Sequence, residues 1–189
     1  MSLLIQNGLV VTSTGSYKAD VYVEDGKIKT IGTNLDHNAR TIVDAKGKYV
    51  LPGAIDPHTH LAMPFMGTSA QDDYETGTIA AACGGVTCVV DFDLQQKGES
   101  ILQAVERKKS WAKDKVAVDY SLHPAIMDPR PEVIDEIKDA IQEYGTPSFK
   151  IFMVYDFRVD DATMIRLLKQ TKKYGGLVQV HAENVHIID

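Results

Sequence analysis

Gly53-Ala54-Ile55-Asp56-Pro57-His58-Thr59-His60 reads as a short strand that ends in two histidines one residue apart. Side chains alternate along a strand, so His58 and His60 leave the same face. Two imidazoles side by side at a strand end can grip one metal ion. Imidazole is the commonest metal ligand, and catalytic zinc sites combine such nitrogens with an open position for water. A turn with two solvated histidines has the same local sequence, so the rest of the chain decides.

After a loop with Pro64 and Gly67, the spacing predicts a helix over about 72–82, with Thr76, Ile79, Ala80 and Cys83 on one face and Gly84-Gly85 as its stop. Thr87 to Phe92 is a continuous apolar strand. Ser100 to Ala112 is helical, with Ile101, Ala104, Val105 and Trp111 inward. Val116–Leu122, Ser148–Met153 and Leu177–His181 read as further strands. Between them lie helices over Glu132–Tyr144, closed by Gly145, and Thr163–Tyr174, closed by Gly175-Gly176. In the last helix Met164, Leu167, Leu168 and Thr171 face inward. Alternation of strand and helix without hairpins implies parallel strands. Near-continuous apolar strands imply cover on both faces.

A closed (β/α)₈ barrel and an open doubly wound sheet both fit this pattern. No Gly-x-Gly-x-x-Gly follows any strand, so the dinucleotide fold has no support. A barrel places its chemistry at the C-terminal strand ends, and the reactive residues fall there. His58 and His60 end the first barrel strand, Asp91 and Asp93 the second, His123 the third and His181 the fifth, while Lys150 sits inside the fourth. The reading is therefore a TIM-like barrel of which about five strands are visible. Asp91 and Asp93 are expected to cap or to bind loops.

Residues 1–52 differ. Short alternating runs, Asn7-Gly8 between two of them, and a hairpin signal at Glu24-Asp25-Gly26-Lys27 predict the N-terminal part of a small composite β-sandwich domain. His37 is expected in a solvated loop. Pro52-Gly53 marks the boundary, with the barrel over 53–189. The 189 residues are 44% hydrophobic and 24% charged with net charge −6, which argues for a globular chain and against nucleic acid or an anionic membrane as partner. The start lacks a basic n-region, and no apolar run reaches bilayer length. Cys83 and Cys88 form no disulfide framework and are expected as buried thiols in a reducing cytoplasm.

Lys150 is the oddest residue, because an unpaired ammonium inside an apolar strand is costly. An edge-strand lysine can escape by snorkelling to solvent. A neutral lysine amine can instead take up carbon dioxide as a carbamate, whose two oxygens can bridge two metals that hold a hydroxide between them.

Pro52–His60, Ser148-Phe149-Lys150-Ile151-Phe152-Met153-Val154-Tyr155 and Val180-His181-Ala182-Glu183-Asn184 resemble the dihydropyrimidinase/hydantoinase group of the amidohydrolase superfamily. So do Gly77-Thr78, Gly84-Gly85-Val86-Thr87 and Asp119–His123, and the resemblance covers the whole chain. It implies a binuclear site of two divalent metal ions, zinc by family usage. His58 and His60 would bind one ion, His181 the other, and Lys150, carboxylated by carbon dioxide, would bridge both. Tyr155 matches the tyrosine that holds the substrate and its oxyanion; Phe65 and Phe152 match apolar positions near the substrate. The implied reaction opens a dihydropyrimidine or hydantoin ring to an N-carbamoyl amino acid in a cytoplasmic homotetramer of pyrimidine catabolism.

Three features depart from the family pattern. Ala62 stands where relatives often carry a polar residue, and Val154-Tyr155-Asp156-Phe157 replaces a more usual Ala-Tyr-Lys. Leu61-Ala62 lacks the arginine by which dihydroorotases hold a carboxylate, which ranks that activity lower; allantoin hydrolysis is a further alternative. A whole barrel takes about 250 residues, so the chain reads as a truncated form ending at Asp189, with a third histidine and a proton-shuttling aspartate expected on later strands. A non-catalytic scaffold relative is the competing class. His186 is expected to face solvent.

Overall fold

The computed structural model describes residues 1–65 and 67–188; Asp189, where the expected barrel segment ends, lies outside them. The chain divides into two compact units, Met1–Gly53 and the residues from Ala54 on.

The first unit is one mixed sheet. Strands β1 (Ser2–Thr12), β2 (Gly15–Glu24), β3 (Lys27–Gly32), β4 (Thr41–Asp44) and β5 (Tyr49–Val50) make it. The order is β3-β2-β1-β4, with β5 also on β1. β2 and β3 form the hairpin that Asp25-Gly26 signals. Asn7-Gly8 does not end a strand. It is a bulge within β1, where the register shifts between Ile5 and Gly8 and Asn7 takes a φ of 64°. Asn7 is held there by its N–H on Asp20 Oδ1 at 2.8 Å and its side-chain amide on Asp44 at 2.9 Å. His37 stacks on Tyr22, ring centroids 4.2 Å apart.

The second unit runs β6 (Ala54–Thr59), a small hairpin of β7 (Pro64–Phe65) and β8 (Thr68–Ser69), then α1 (Tyr74–Cys83), β9 (Val86–Leu94) and α2 (Ile101–Ala112). It continues with β10 (Asp119–Ala125), α3 (Pro131–Asp135), α4 (Ile137–Gln142), β11 (Ser148–Phe152), α5 (Asp161–Lys173), β12 (Leu177–His181) and α6 (Val185–Ile188). The five long strands are parallel in the order β12-β11-β10-β9-β6. Each strand is laid down beside its predecessor, and the order never reverses. A doubly wound sheet needs a reversal to make its ligand crevice; steady addition is the (β/α)₈ pattern.

Local chemistry fixes the ends of the helices. Asp73 and Ser100 form capping boxes with Thr76 and Gln103, and Asp160 caps α5 through the N–H of Thr163. The main core packs Ile101 and Val105 of α2, Ile137 of α4 and Leu167 of α5 onto Leu122, Phe149 and Ile151 of the sheet. Among the described residues no helix is long and apolar enough to cross a membrane.

Several expectations need correction. Cys83 is exposed and Cys88 only partly covered. The inward face of α1 is Tyr74 and Thr78, while Ile79 and Ala80 are exposed. This helix, mostly alanines and threonines, has little amphipathic contrast, and its one aromatic side chain, Tyr74, is the one buried with Thr78. Leu168 of α5 is exposed as well. The expected helix over Glu132–Tyr144 is two short helices that meet at Glu136. The Glu136 carboxylate is committed elsewhere: it accepts from Ser100 Oγ and Ile101 N, both at 2.8 Å, at the start of α2. β10 starts later than expected and carries Pro124 within it.

Gly176 should tolerate no side chain. A Cβ there would lie 2.6 Å from Pro147 O and 2.8 Å from Thr171 Cγ2. Gly176→Ala is expected to destabilise by about 1–3 kcal/mol, as overpacking does. Phe149→Ala, at a fully buried site in the main core, is expected to cost about 3–5 kcal/mol. Thermal unfolding of both variants checks these values.

Candidate active site

A cavity of about 340 Å³ opens at the C-terminal ends of the parallel strands, lined by His58, His60, Lys150, Phe152, Tyr155, His181, Phe65, Phe92, Met63 and Leu94. Every metal-ligating, catalytic and substrate-contacting residue expected from the sequence lines this one cavity. Alternation explains the pairing of His58 with His60, whose rings stand edge to face with centroids 5.1 Å apart. Both lie against Phe92, at 4.6 and 5.1 Å.

Lys150 is in β11, between β10 and β12, and is 8% exposed. It is not an edge lysine. Its Nζ lies 5.6 Å from the Phe92 ring centre and 5.4 Å from that of Phe152, and among the described residues no hydrogen bond or ion pair reaches it. Burial holds its amine below the ordinary lysine range. Burial, then the neighbouring His58, also holds His60 below the usual imidazole range.

His181 sits on the opposite wall, its ring 5.6 Å from Phe152 and 5.9 Å from Tyr155. Its Nε2 lies 2.9 Å from Glu183 Oε2, and among the described residues that buried nitrogen makes no hydrogen bond. Tyr155 has a φ of 73°, rare for a bulky residue and costing of order 1 kcal/mol or more. The N–H and guanidinium of Arg158 both donate to its carbonyl, at 3.2 and 3.1 Å. The strained turn aims Tyr155 between Phe65 and Phe152, with Phe157 at 5.3 Å completing an aromatic wall.

Other candidates lie elsewhere. Phe92 takes the cavity side of β9, so its neighbours Asp91 and Asp93 take the helix side. Asp91 bonds to the loop at Leu61 and pairs with Lys108. Asp93 pairs with Arg107 at 3.2 Å, yet burial outweighs that attraction and pushes its carboxyl up to about 7. His123, opposite Phe92 on β10, has its ring 5.0 Å from that of Phe92 but does not line the cavity, its ring nitrogens 3.0 Å from Pro57 O and 2.5 Å from Ser148 Oγ. His186 is exposed. The sequence reading missed Phe92, the floor of the cavity. Its only signal was a place one residue out of phase with two aspartates.

The donor chemistry fits a metal. Nitrogens of His58, His60, Lys150 and His181 face one cavity, and the His58 and His60 rings make no hydrogen bond among the described residues. Among the described residues no three His, Cys, Asp or Glu side chains cluster closely enough to hold an ion by themselves. Lys150 would have to gain oxygens to serve.

The model of the amidohydrolase family matches residues 49–188. The chain is 49% identical over 191 residues to the D-hydantoinase of Geobacillus stearothermophilus, covering 100% of this chain and 41% of that protein. It is 45% identical over 186 residues to the dihydropyrimidinase of Dictyostelium discoideum, covering 97% and 37%. A crystal structure of D-hydantoinase superposes with a TM-score of 0.95 at 46% identity, covering 100% of this chain and 42% of that one. The chain thus spans between 37% and 42% of the length of these relatives. The family model covers the five parallel strands and the whole cavity at their ends, and the chain belongs to the amidohydrolase family.

Proposed function

We propose that this chain supplies one wall of the active site of a metal-dependent cyclic amidohydrolase that opens a dihydropyrimidine or hydantoin ring to an N-carbamoyl amino acid. The observation that carries the reading is a largely buried lysine, with no hydrogen-bond or ion-pair partner among the described residues, sharing an aromatic cavity with three histidines. The names of the relatives, D-hydantoinase and dihydropyrimidinase, support the substrate class. In this reading residues 1–52 are part of a composite β domain and 53–189 the first part of the barrel. The assembly is a cytoplasmic homo-oligomer.

His58 and His60 would hold one divalent ion and His181 a second, with zinc the natural choice for nitrogen ligands. Lys150 would join them after its neutral amine attacks carbon dioxide, forming an N–C bond and releasing a proton. A low amine pKa favours this step, because only the neutral form is nucleophilic. Ions bound there would polarise the ring carbonyl and acidify a water. The chain's own groups bind and orient the substrate, while the proton for the leaving ring nitrogen is left to the aspartate expected on a later strand. Tyr155 donates a hydrogen bond from its hydroxyl to the carbonyl oxygen as charge develops. Phe65 and Phe152 sandwich the ring substituent, and the aromatic wall excludes competing water.

Elemental analysis of the intact purified protein, with and without bicarbonate, tests the site; these 189 residues in isolation are expected to bind metal poorly. About two ions per chain are expected, as in binuclear hydrolases, with bicarbonate aiding reconstitution. No bound metal under either condition would leave a non-catalytic scaffold. Tyr155→Phe is expected to lower kcat about 10²–10³-fold, the scale of losing one oxyanion donor, with metal content unchanged. Lys150→Ala is expected to lose both metal and turnover of dihydrouracil and hydantoin; unchanged turnover would refute the bridging role.

A further inference from the structure

Strand β6 loses regular pairing with β9 just where the two histidines stand. The register shifts between Asp56 and Thr59. Pro57 has no N–H to give, and the N–H of His58 turns back to Asp56 Oδ1 at 3.1 Å. Side chains replace the missing ladder. His123 Nε2 meets Pro57 O at 3.0 Å. Thr59 Oγ1 and Leu61 N donate to Asp91 Oδ1, at 3.2 and 2.9 Å. Lys108 Nζ donates to Leu61 O at 2.6 Å and lies 3.0 Å from Asp91 Oδ2. Tyr74 donates its hydroxyl to that same oxygen at 2.8 Å.

Asp91, Lys108 and Tyr74 are 0%, 1% and 1% exposed. A buried ion pair is a poor source of stability, since apolar residues of similar size often do as well. What it offers is direction. Asp91 grips the N–H of Leu61 and Lys108 grips its carbonyl, so the pair clasps one residue by both ends, directly after His60. The phenol of Tyr74 stays protonated, because burial and then the Asp91 carboxylate raise its pKa, and it therefore always donates to the pair.

We propose that the Lys108–Asp91 pair, locked by Tyr74, is a positioning device that aims His58 and His60 at a shared metal ion. The proposal rests on the reading that these histidines bind metal. Groups that orient ligands from behind typically change metal affinity about 10–100-fold.

The test is cobalt(II) binding to the metal-depleted full chain, followed by chelator competition and by the visible spectrum, which reports ligand geometry. Thermal unfolding of the metal-free protein is measured in parallel. Lys108→Met keeps the length of the side chain and removes its charge; Tyr74→Phe removes only the hydroxyl. Both are expected to weaken cobalt binding about 10–100-fold and to shift the spectrum, with His58→Ala abolishing binding at that ion. If Lys108→Met fails to fold, Tyr74→Phe decides, because it leaves the ion pair in place. Wild-type affinity and spectrum in Tyr74→Phe and Lys108→Met, alongside loss in His58→Ala, would overturn the positioning role and leave the metal reading intact. Unchanged binding in His58→Ala would overturn the metal reading, and the positioning role with it.

Discussion

The ring of Phe92 is the surface on which the cavity rests. The rings of His58, His60 and His123 and the amine of Lys150 all lie within 5.6 Å of its centre. These groups come from three different strands, β6 with its end, β10 and β11, and would repel one another if all were charged. Burial in this interior disfavours the charged forms of His60, His123 and Lys150 and is the leading cause of each downward shift. Neutral nitrogen is also what a metal needs from imidazole. One buried phenylalanine thus has all of these groups gathered around its ring.

The sheet supplies the rest of the geometry. Parallel strands laid down in sequence bring their C-terminal ends to one rim. Alternation then sorts each strand's residues between cavity and helix layer. On β9 the sorting is plain: Phe92 belongs to the cavity, Asp91 to Lys108, Asp93 to Arg107. Charges on the helix side anchor the strand while an apolar ring on the other side shapes the site.

Much of this is legible in the sequence because it is local. His58 and His60 face alike by strand alternation alone, and Lys150 stands out because a cation interrupts an apolar run. Tyr155 is different: nothing in its spacing marks it, and only resemblance singled it out, since its aim depends on a left-handed backbone that sequence pattern does not reveal. Lys108 was invisible for another reason. Within Arg107-Lys108-Lys109 it looks like part of a solvated face, and its partner Asp91 is brought near only by the packing of α2 on β9. The rotation of α1 failed because alanine and threonine carry too little contrast to orient a helix. Pro124 hid the end of β10, since proline within a run normally argues against a central strand.

The exposed thiol of Cys83 has a practical use. It closes α1 and precedes β9, so it sits at the opposite end of that strand from the cavity. Val86 to Phe92 alone spans roughly 20 Å at about 3.3 Å per residue. A fluorophore attached to Cys83 would ride on a rigid element, too far away to block entry of a small molecule. Cys88, half covered within the sheet, would react more slowly. The native chain therefore offers a reporter position without engineering a new cysteine.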